Sequence, residues 1–175
     1  MSSAKYVQQN HPVSTEEIGT RVVSLYMAGD TTGLIFLSDS LINSLDVRML
    51  DSAELAEIYY YAGVCNLLAA RYIEAIPWLS HSVDINRRLE IIDDHYAKGI
   101  YNIGVAYNYM GEFNKVLDYM MQYVDVGTTL YGPDSPEIAT AYSNIIGASL
   151  ENKDYENFRK YTFLTLEILN YNKNI

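Results

Sequence analysis

Apolar residues recur at spacings of three and four along most of the chain, which is the period of an amphipathic α-helix. Around residue 60, one helical face collects Ile58, Tyr61, Ala62, Cys65, Leu68 and Ala69. Apolar and polar residues alternate nowhere over a sustained stretch, so the pattern does not favour β-strands. The sequence therefore predicts an all-α protein.

Residues that begin helices stand at intervals along this pattern. Ser14 with Glu17, and Asp51 with Glu54, have the spacing of a capping box, in which the first side chain accepts a bond from a free backbone N–H. Ser135 can cap another helix. The Pro136 that follows then occupies the first helical position, where its missing N–H costs nothing.

Other residues indicate turns. Gly29, Gly111 and the pair Lys153–Asp154 stand where tight turns would join two helices. A proline in a helix interior costs about 3 kcal/mol or more, so we expect Pro77 near the start of the helix that follows Arg71.

The helical pattern is repeated. Four similar segments begin at residues 20, 61, 102 and 144, so the period is 41 or 42 residues. The segment from Asn102 to Phe113 is the clearest, and the one at residue 20 is the weakest. A period of this length has room for two helices, so the chain is expected to form about four stacked antiparallel helix pairs.

The repeat also predicts how the chain is organised. We expect residues 1–13 to form a flexible N-terminal segment and residues 14–175 to form a single helical-repeat domain. Its units would span about 14–49, 50–90, 91–131 and 132–175.

This pattern resembles the tetratricopeptide repeat (TPR). The resemblance rests on the residue that opens each segment, on the small residues that follow it, on Tyr107 within the first helix, on a turn glycine, and on an aromatic residue of the second helix. These residues are Gly63, Gly104 and Gly147, then Gly111, then Tyr72, Phe113 and Tyr155. The small residue of the family three positions after the aromatic is present only as Ala75, whereas Val116 and Phe158 depart from it.

The period exceeds the standard TPR length of about 34 residues. Long-period repeats of this kind are similar to those of kinesin light chains and of peptide-sensing domains in bacterial quorum-sensing regulators. The segment 131–139, which leads to Asn144, is especially similar to the phrase between kinesin light chain repeats. A HEAT-like array has a compatible period and is the alternative fold, but it does not require the small-to-aromatic spacing.

The resemblance implies a right-handed superhelix whose first helices line a concave groove. The groove positions are Tyr60, Tyr61 and Val64 in the second unit, Lys98, Tyr101, Asn102, Val105 and Tyr109 in the third, and Ser143 and Asn144 in the fourth. Further candidates are Leu68, Gly147 and, from the first unit, Val23, Tyr26 and Met27.

The matched Asn102 and Asn144 allow two interpretations. A side-chain amide both donates and accepts, so it can hold the backbone of an extended peptide without selecting its sequence, as an Asn does in the resembling families. Alternatively, each Asn only ties neighbouring helices or faces water. Tyr61 stands in place of Asn in the second unit, so a complete ladder of amides is not expected.

The helix predicted near the C-terminal end has apolar residues on nearly all sides. An exposed apolar stripe usually marks an interface, so Phe163, Leu166 and Leu169 are expected to form an oligomer interface, or else the chain is one part of a longer repeat protein. The alternative is that tyrosine hydroxyls and threonines make this outer face polar enough for water.

Composition narrows the function further. The 175 residues are 49% apolar and 19% charged, which is enough apolar material for a core. The net charge of -10 argues against nucleic-acid binding, because an acidic surface repels phosphates, and it favours neutral or basic partners. The single Cys65 cannot form an internal disulfide, and no apolar run is long enough to span a membrane. We expect a cytoplasmic protein.

No catalytic pattern is present. There is no glycine-rich phosphate loop and no nucleophile elbow, so we expect neither an enzyme nor a cofactor. His81 with Asp84, and the cluster 93–95, are interpreted as solvated helix ends rather than as metal ligands. The expected function is a module that holds a peptide or protein segment in its groove. The alternative is a structural or oligomerising array, or the repeat part of a larger regulator.

Overall fold

The computed structural model describes residues 14–45 and 51–173, which form eight α-helices and no β-strand. The helices are α1 (Thr15–Met27), α2 (Thr31–Asn43), α3 (Ala53–Leu68), α4 (Tyr72–Arg88), α5 (Asp94–Tyr109), α6 (Phe113–Tyr131), α7 (Pro136–Glu151) and α8 (Tyr155–Lys173). The all-α prediction is confirmed. The expected N-terminal segment 1–13, and the expected unit boundary at residues 49 and 50, lie outside the described residues.

The same turn closes every helix pair. Three residues separate the two helices in each case, and the middle residue has a left-handed backbone. That residue is Gly29 (φ 66°) or Gly111 (φ 75°) in two turns, and Ala70 or Lys153 (both φ 59°) in the others. Such short turns fold the second helix back along the first, so each pair is antiparallel.

The pairs stack in chain order. α2 packs on α3, α4 on α5, and α6 on α7, so each second helix lies against the first helix of the next pair. First helices also contact one another, α1 with α3 and α3 with α5, whereas the second helices make no comparable contact among the described residues. The first helices therefore lie on the shorter, inner side of the stack.

The core fills the spaces between successive pairs. Leu79, Ile100 and Ile103 are fully buried between α4 and α5, and Met120 with Ile145 fills the next space between α6 and α7. Cys65 is also fully buried, and its burial raises the pKa of the thiol to about 12. The thiol therefore remains protonated and packs as a small apolar group, as expected.

Two of the three predicted caps are confirmed. The Ser14 hydroxyl accepts from the Glu17 N–H, and the Glu17 carboxylate accepts from the Ser14 N–H. Ser135 accepts from the Ile138 N–H, with Pro136 at the start of α7.

The third predicted cap is wrong by one residue. α3 begins at Ala53, so Ser52 is its cap and accepts from the Leu55 N–H. Asp51 instead accepts from Arg88, at the end of α4, over 2.6 Å. The cap prediction considered only the local spacing, whereas the position of Asp51 beside Arg88 depends on how the pairs stack.

The expected place of Pro77 also needs correction. It lies inside α4, beyond the first turn, rather than near the start. A proline there cannot bond to the carbonyl of Ile73, four residues earlier. Both Pro77 and Ile73 are exposed, so water can reach that side of the helix and limit the cost.

Candidate functional site

A groove of about 420 Å³ lies where the first helices α1, α3 and α5 face one another on the inner side of the stack. Its lining residues are Glu16, Gly19, Thr20, Val22, Val23, Tyr26, Tyr60, Tyr61, Val64, Leu68, His95 and Lys98. The groove thus brings together four of the ten predicted binding residues, Tyr60, Tyr61, Val64 and Lys98. Three successive units contribute side chains to it.

Tyr60 lies at the base of the groove wall, where its side chain is not available to a ligand. It is only 8% exposed, and its ring packs against the rings of Tyr61 and His95. Burial raises the pKa of the Tyr60 hydroxyl well above its ordinary value, and a hydrogen bond with Asn102 partly offsets that rise. The hydroxyl therefore stays neutral and bonded within the wall.

Tyr61 is half-buried and closes the groove between α1 and α5. Its hydroxyl lies 3.4 Å from Nε2 of His95. On the other side, a Cβ built on Gly19 would come within 2.7 Å of the same hydroxyl, so α1 approaches Tyr61 through a residue without a side chain. Burial raises the pKa of Tyr61 as well.

The groove lining includes five residues that the sequence analysis does not predict, Glu16, Gly19, Thr20, Val22 and His95. The sequence pattern places His95 in a solvated helix end, but its ring lies 4.9 Å from that of Tyr60 and 5.7 Å from that of Tyr61. Its Nδ1 is 3.5 Å from the Glu57 carboxylate. The sequence does contain a signal for the groove position of His95, because His95 lies one turn before the predicted groove residue Lys98 on the same face of α5.

The charges around the groove leave an excess of carboxylates. Nζ of Lys98 is 2.6 Å from the Asp94 carboxylate, which also accepts from the Tyr131 hydroxyl over 2.6 Å. Burial raises the pKa of Asp94, but these two hydrogen bonds outweigh it and hold the pKa below its ordinary value. Because Lys98 is paired, the Glu16 carboxylate in the lining, with Glu57 behind it beside His95, gives the groove a net negative character.

The six other predicted binding residues lie farther along α5 and α7. They are Tyr101, Asn102, Val105, Tyr109, Ser143 and Asn144. The Ser143 hydroxyl donates to the Ala139 carbonyl of its own helix. Val105 is half-buried in the packing between α5, α6 and α7.

Tyr109 is exposed at the end of α5, and its ring stacks on Tyr72 at the start of α4. The two ring centres are 4.8 Å apart and the planes differ by 3°. The structure therefore places Tyr109 outside the groove lining and at the edge of the stack.

The two matched asparagines contact tyrosines of the preceding unit. The Asn102 amide lies close enough to the Tyr60 hydroxyl to lower the pKa of that tyrosine, against the larger rise that burial causes. Asn144 donates to the Tyr101 hydroxyl over 3.4 Å and to the Thr140 carbonyl over 3.0 Å. This arrangement favours the interpretation in which each Asn ties neighbouring first helices. Both amides are half-buried, so each also has an edge toward solvent.

The remaining polar clusters are accounted for by local contacts. Asp93 caps α5 through the Tyr96 N–H, and Asp84 pairs with Arg87 over 2.9 Å. The His81 ring packs 5.2 Å from Tyr59. Within residues 14–45 and 51–173, no three His, Cys, Asp or Glu side chains meet as metal ligands. None of the described helices is long and apolar enough to cross a membrane.

Solved structures share this stack of helix pairs. BtubC (BKLC) from P. vanneervenii superposes with a TM-score of 0.73 over 87% of this chain, at 18% identity. A putative kinesin light chain with nearly identical TPR-like repeats from Podosopora anserina superposes with a TM-score of 0.73 over 94% of this chain, at 11% identity. A variant of that protein with a single substitution gives the same TM-score, coverage of this chain and identity.

The chain has a TPR-like helical-repeat fold. It spans 61% of the length of BtubC, and 78% and 77% of the two kinesin light chain structures. No protein-family model matches the sequence, and no curated protein matches it. The likeness favours the TPR-like stack over the HEAT-like alternative.

Proposed function

We propose that the groove between α1, α3 and α5 binds an extended peptide or protein segment. The observation that carries the proposal is the convergence of three successive first helices on one groove of about 420 Å³. Val23, Val64 and Leu68 offer apolar contact there, and Tyr26 and Tyr61 add ring surface with polar edges. Such a mixture is typical of sites that hold a ligand by shape and orient it with a few polar groups.

The charges favour a neutral or basic segment. The faces of Tyr26 and Tyr61 can pack against a guanidinium or ammonium group, and the Glu16 carboxylate in the lining can neutralise it. Lys98 is already paired with Asp94, so it offers little attraction to an acidic ligand. A clamp for a terminal carboxylate needs basic side chains on two sides, and among the described residues that line the groove Lys98 is the one lysine or arginine. The groove therefore suits an internal segment of a chain.

Binding can be tested with labelled peptides that share one extended apolar frame and differ only in a central Arg, Leu or Glu. Fluorescence anisotropy should show the Arg peptide binding most tightly and the Glu peptide least. Weaker binding at higher salt is expected for the Arg peptide alone. Equal affinity for the Arg and Glu peptides would contradict the charge preference.

The groove itself can be tested with a matched pair of variants on α1. Tyr26→Ala removes an exposed lining residue and should weaken binding about tenfold, as loss of an aromatic contact does. Met27→Ala removes its exposed neighbour, which does not line the groove, and should leave affinity unchanged. If both variants bind like the wild-type protein, or if none of the peptides binds, the groove is not the site. The structural-array alternative then stands.

A further inference from the structure

The first two helix pairs contact each other differently from the later pairs. Between the later pairs, a long tyrosine on one first helix meets a short asparagine on the next first helix. These contacts are Tyr60 with Asn102, and Tyr101 with Asn144. One repeat period earlier, the tyrosine position holds Gly19 on α1 and the asparagine position holds Tyr61 on α3. The long and the short residue have therefore changed places between α1 and α3.

This exchange directs Tyr61 toward the backbone of α1. A Cβ built on Gly19 would lie 2.7 Å from the Tyr61 hydroxyl and 3.2 Å from the ring carbon that carries it. No side chain fits at position 19 while Tyr61 keeps this place. Both residues line the groove. In the part of the chain that the structure describes, no side-chain amide contacts the Tyr61 hydroxyl, in contrast to the Tyr101 hydroxyl.

The Tyr61 oxygen can accept a further hydrogen bond. Among the described residues its one hydrogen-bond contact is Nε2 of His95, and the distance of 3.4 Å is longer than that of an ordinary bond. The proton of neutral His95 belongs on Nδ1, because that nitrogen faces the Glu57 carboxylate at 3.5 Å and a carboxylate only accepts. Nε2 then accepts the Tyr61 proton, so the lone pairs of the Tyr61 oxygen are left for an N–H donor.

We propose that Tyr61 determines the specificity of the groove, and that its hydroxyl oxygen accepts one backbone N–H of the bound segment. The inference rests on the proposed peptide-binding function and names the contact that would hold the peptide. A backbone N–H that loses water on binding needs a new acceptor. The other polar side chains of the lining are exposed or already engaged, which leaves Tyr61 as the half-buried acceptor. The exposed ones are Glu16, Thr20, Tyr26 and Lys98, and the engaged ones are Tyr60 and His95.

This contact restricts the sequence of the ligand at one position. Proline has no N–H, so proline at the contacted position would leave the Tyr61 oxygen without its donor. The side chain at that position is not selected, because the bond is made to the backbone. The groove should therefore accept varied sequences but exclude proline at a single place.

The contact can be tested with the labelled Arg peptide of the binding assay and a set in which each backbone N–H in turn is replaced by N–CH₃. One methylated position should bind the wild-type protein about five- to tenfold more weakly. Tyr61→Phe keeps the ring and should weaken binding of the unmodified Arg and Leu peptides by a similar factor. Methylation at the critical position should then cost Tyr61→Phe much less than it costs the wild-type protein.

Two controls separate this contact from a general change in the surface. Tyr142→Phe removes a half-buried hydroxyl from another first helix, outside the lining, and should bind like the wild-type protein. The predicted oligomer interface gives the second control. Phe163, Leu166 and Leu169 are 62%, 53% and 49% exposed on α8 and contribute nothing to the lining, so Phe163→Ala should also leave binding unchanged.

Gly19→Ala tests the same contact from α1. The added Cβ displaces the far end of the Tyr61 side chain, so binding should weaken while the melting temperature in circular dichroism stays close to that of the wild-type protein. In the Tyr61→Phe background the same change should have a smaller effect on binding.

The outcomes distinguish this role of Tyr61 from the proposed function. If the wild-type protein binds the peptides and Tyr61→Phe binds them equally well, the groove stands and the role of Tyr61 is overturned. A loss in Tyr61→Phe that is confined to the Arg peptide, or that no methylated position reproduces, overturns the backbone contact. A wild-type protein that binds none of the peptides overturns the proposed function and this role with it.

Discussion

Two glycines that look alike in sequence should respond to alanine in opposite ways. Gly63 and Gly147 both stand in the middle of a first helix, α3 and α7, but Gly147 lies one residue later in the repeat than Gly63 does. An added Cβ at Gly63 would lie 2.5 Å from Cγ of Leu79, 2.8 Å from its Cδ2 and 3.0 Å from its backbone nitrogen. At Gly147 nothing lies within 4 Å. The two sites therefore differ in how closely a neighbouring helix approaches.

The magnitude follows from two opposing terms. Alanine is favoured over glycine in a helix interior by about 1 kcal/mol, and this gain is common to both sites. At Gly63 the Leu79 backbone must also move away, which separates α3 from α4 and costs about 3 kcal/mol, the upper part of the overpacking range. We therefore expect Gly63→Ala to lower the free energy of unfolding by about 2 kcal/mol, and Gly147→Ala to raise it by about 1 kcal/mol.

Thermal unfolding followed by circular dichroism measures the difference. For a domain of this size, 1 kcal/mol shifts the midpoint by about 2–4 °C. Gly147→Ala should therefore melt a few degrees above the wild-type protein, and Gly63→Ala clearly below it. If Gly63→Ala is as stable as the wild-type protein, the close approach of α4 does not exclude a side chain at position 63. If Gly147→Ala melts lower, the position is not open, and the packing argument fails at that site.

Three further changes test other parts of the stack. Ala70→Gly should raise the unfolding free energy by about 1 kcal/mol, because Ala70 has φ 59° and only glycine adopts that backbone without strain; unchanged melting would refute this. Asn66→Ala should lower the free energy of unfolding, measured in urea, by about 1–3 kcal/mol, because the buried amide donates to Ser38 and to the Ala62 carbonyl. An unchanged free energy of unfolding would mean that these bonds add no net stability. Burial raises the pKa of Tyr60, and it raises the pKa of Tyr123 to about 12. The tyrosines of the unfolded chain therefore ionise first, so the free energy of unfolding should be highest below about pH 10 and fall as the pH rises above it. A free energy of unfolding that does not change over this pH range would contradict the burial of these rings.

The helices and their pairing could be predicted from the sequence because their signals are local. Helical periodicity, caps such as Ser14 and Ser135, and the repeat of 41 or 42 residues depend only on neighbours along the chain. The same is true of the turns at Gly29 and Gly111. At Ala70 the residue type gives no sign of a left-handed backbone, and only its place in the repeat indicates a turn.

The groove was predictable only in part. Tyr61, Val64 and Lys98 lie where the helical stripe predicted, because their direction follows from the period of their own helix. The burial of Tyr60, and the contact of His95 with both tyrosines, depend on how α5 packs beside α3. No spacing along the chain specifies that crossing.

The repeat, the helix pairs and the side chains on each inner face thus follow from the sequence alone. The tertiary structure decided which of those side chains remain free. It engages Asn102 and Asn144 with tyrosines of the preceding unit, places Leu79 against Gly63, and leaves Gly147 open. The physical reason is that local periodicity sets the direction of a side chain, whereas the distance to its neighbours depends on the packing of helices about 41 residues apart in the chain.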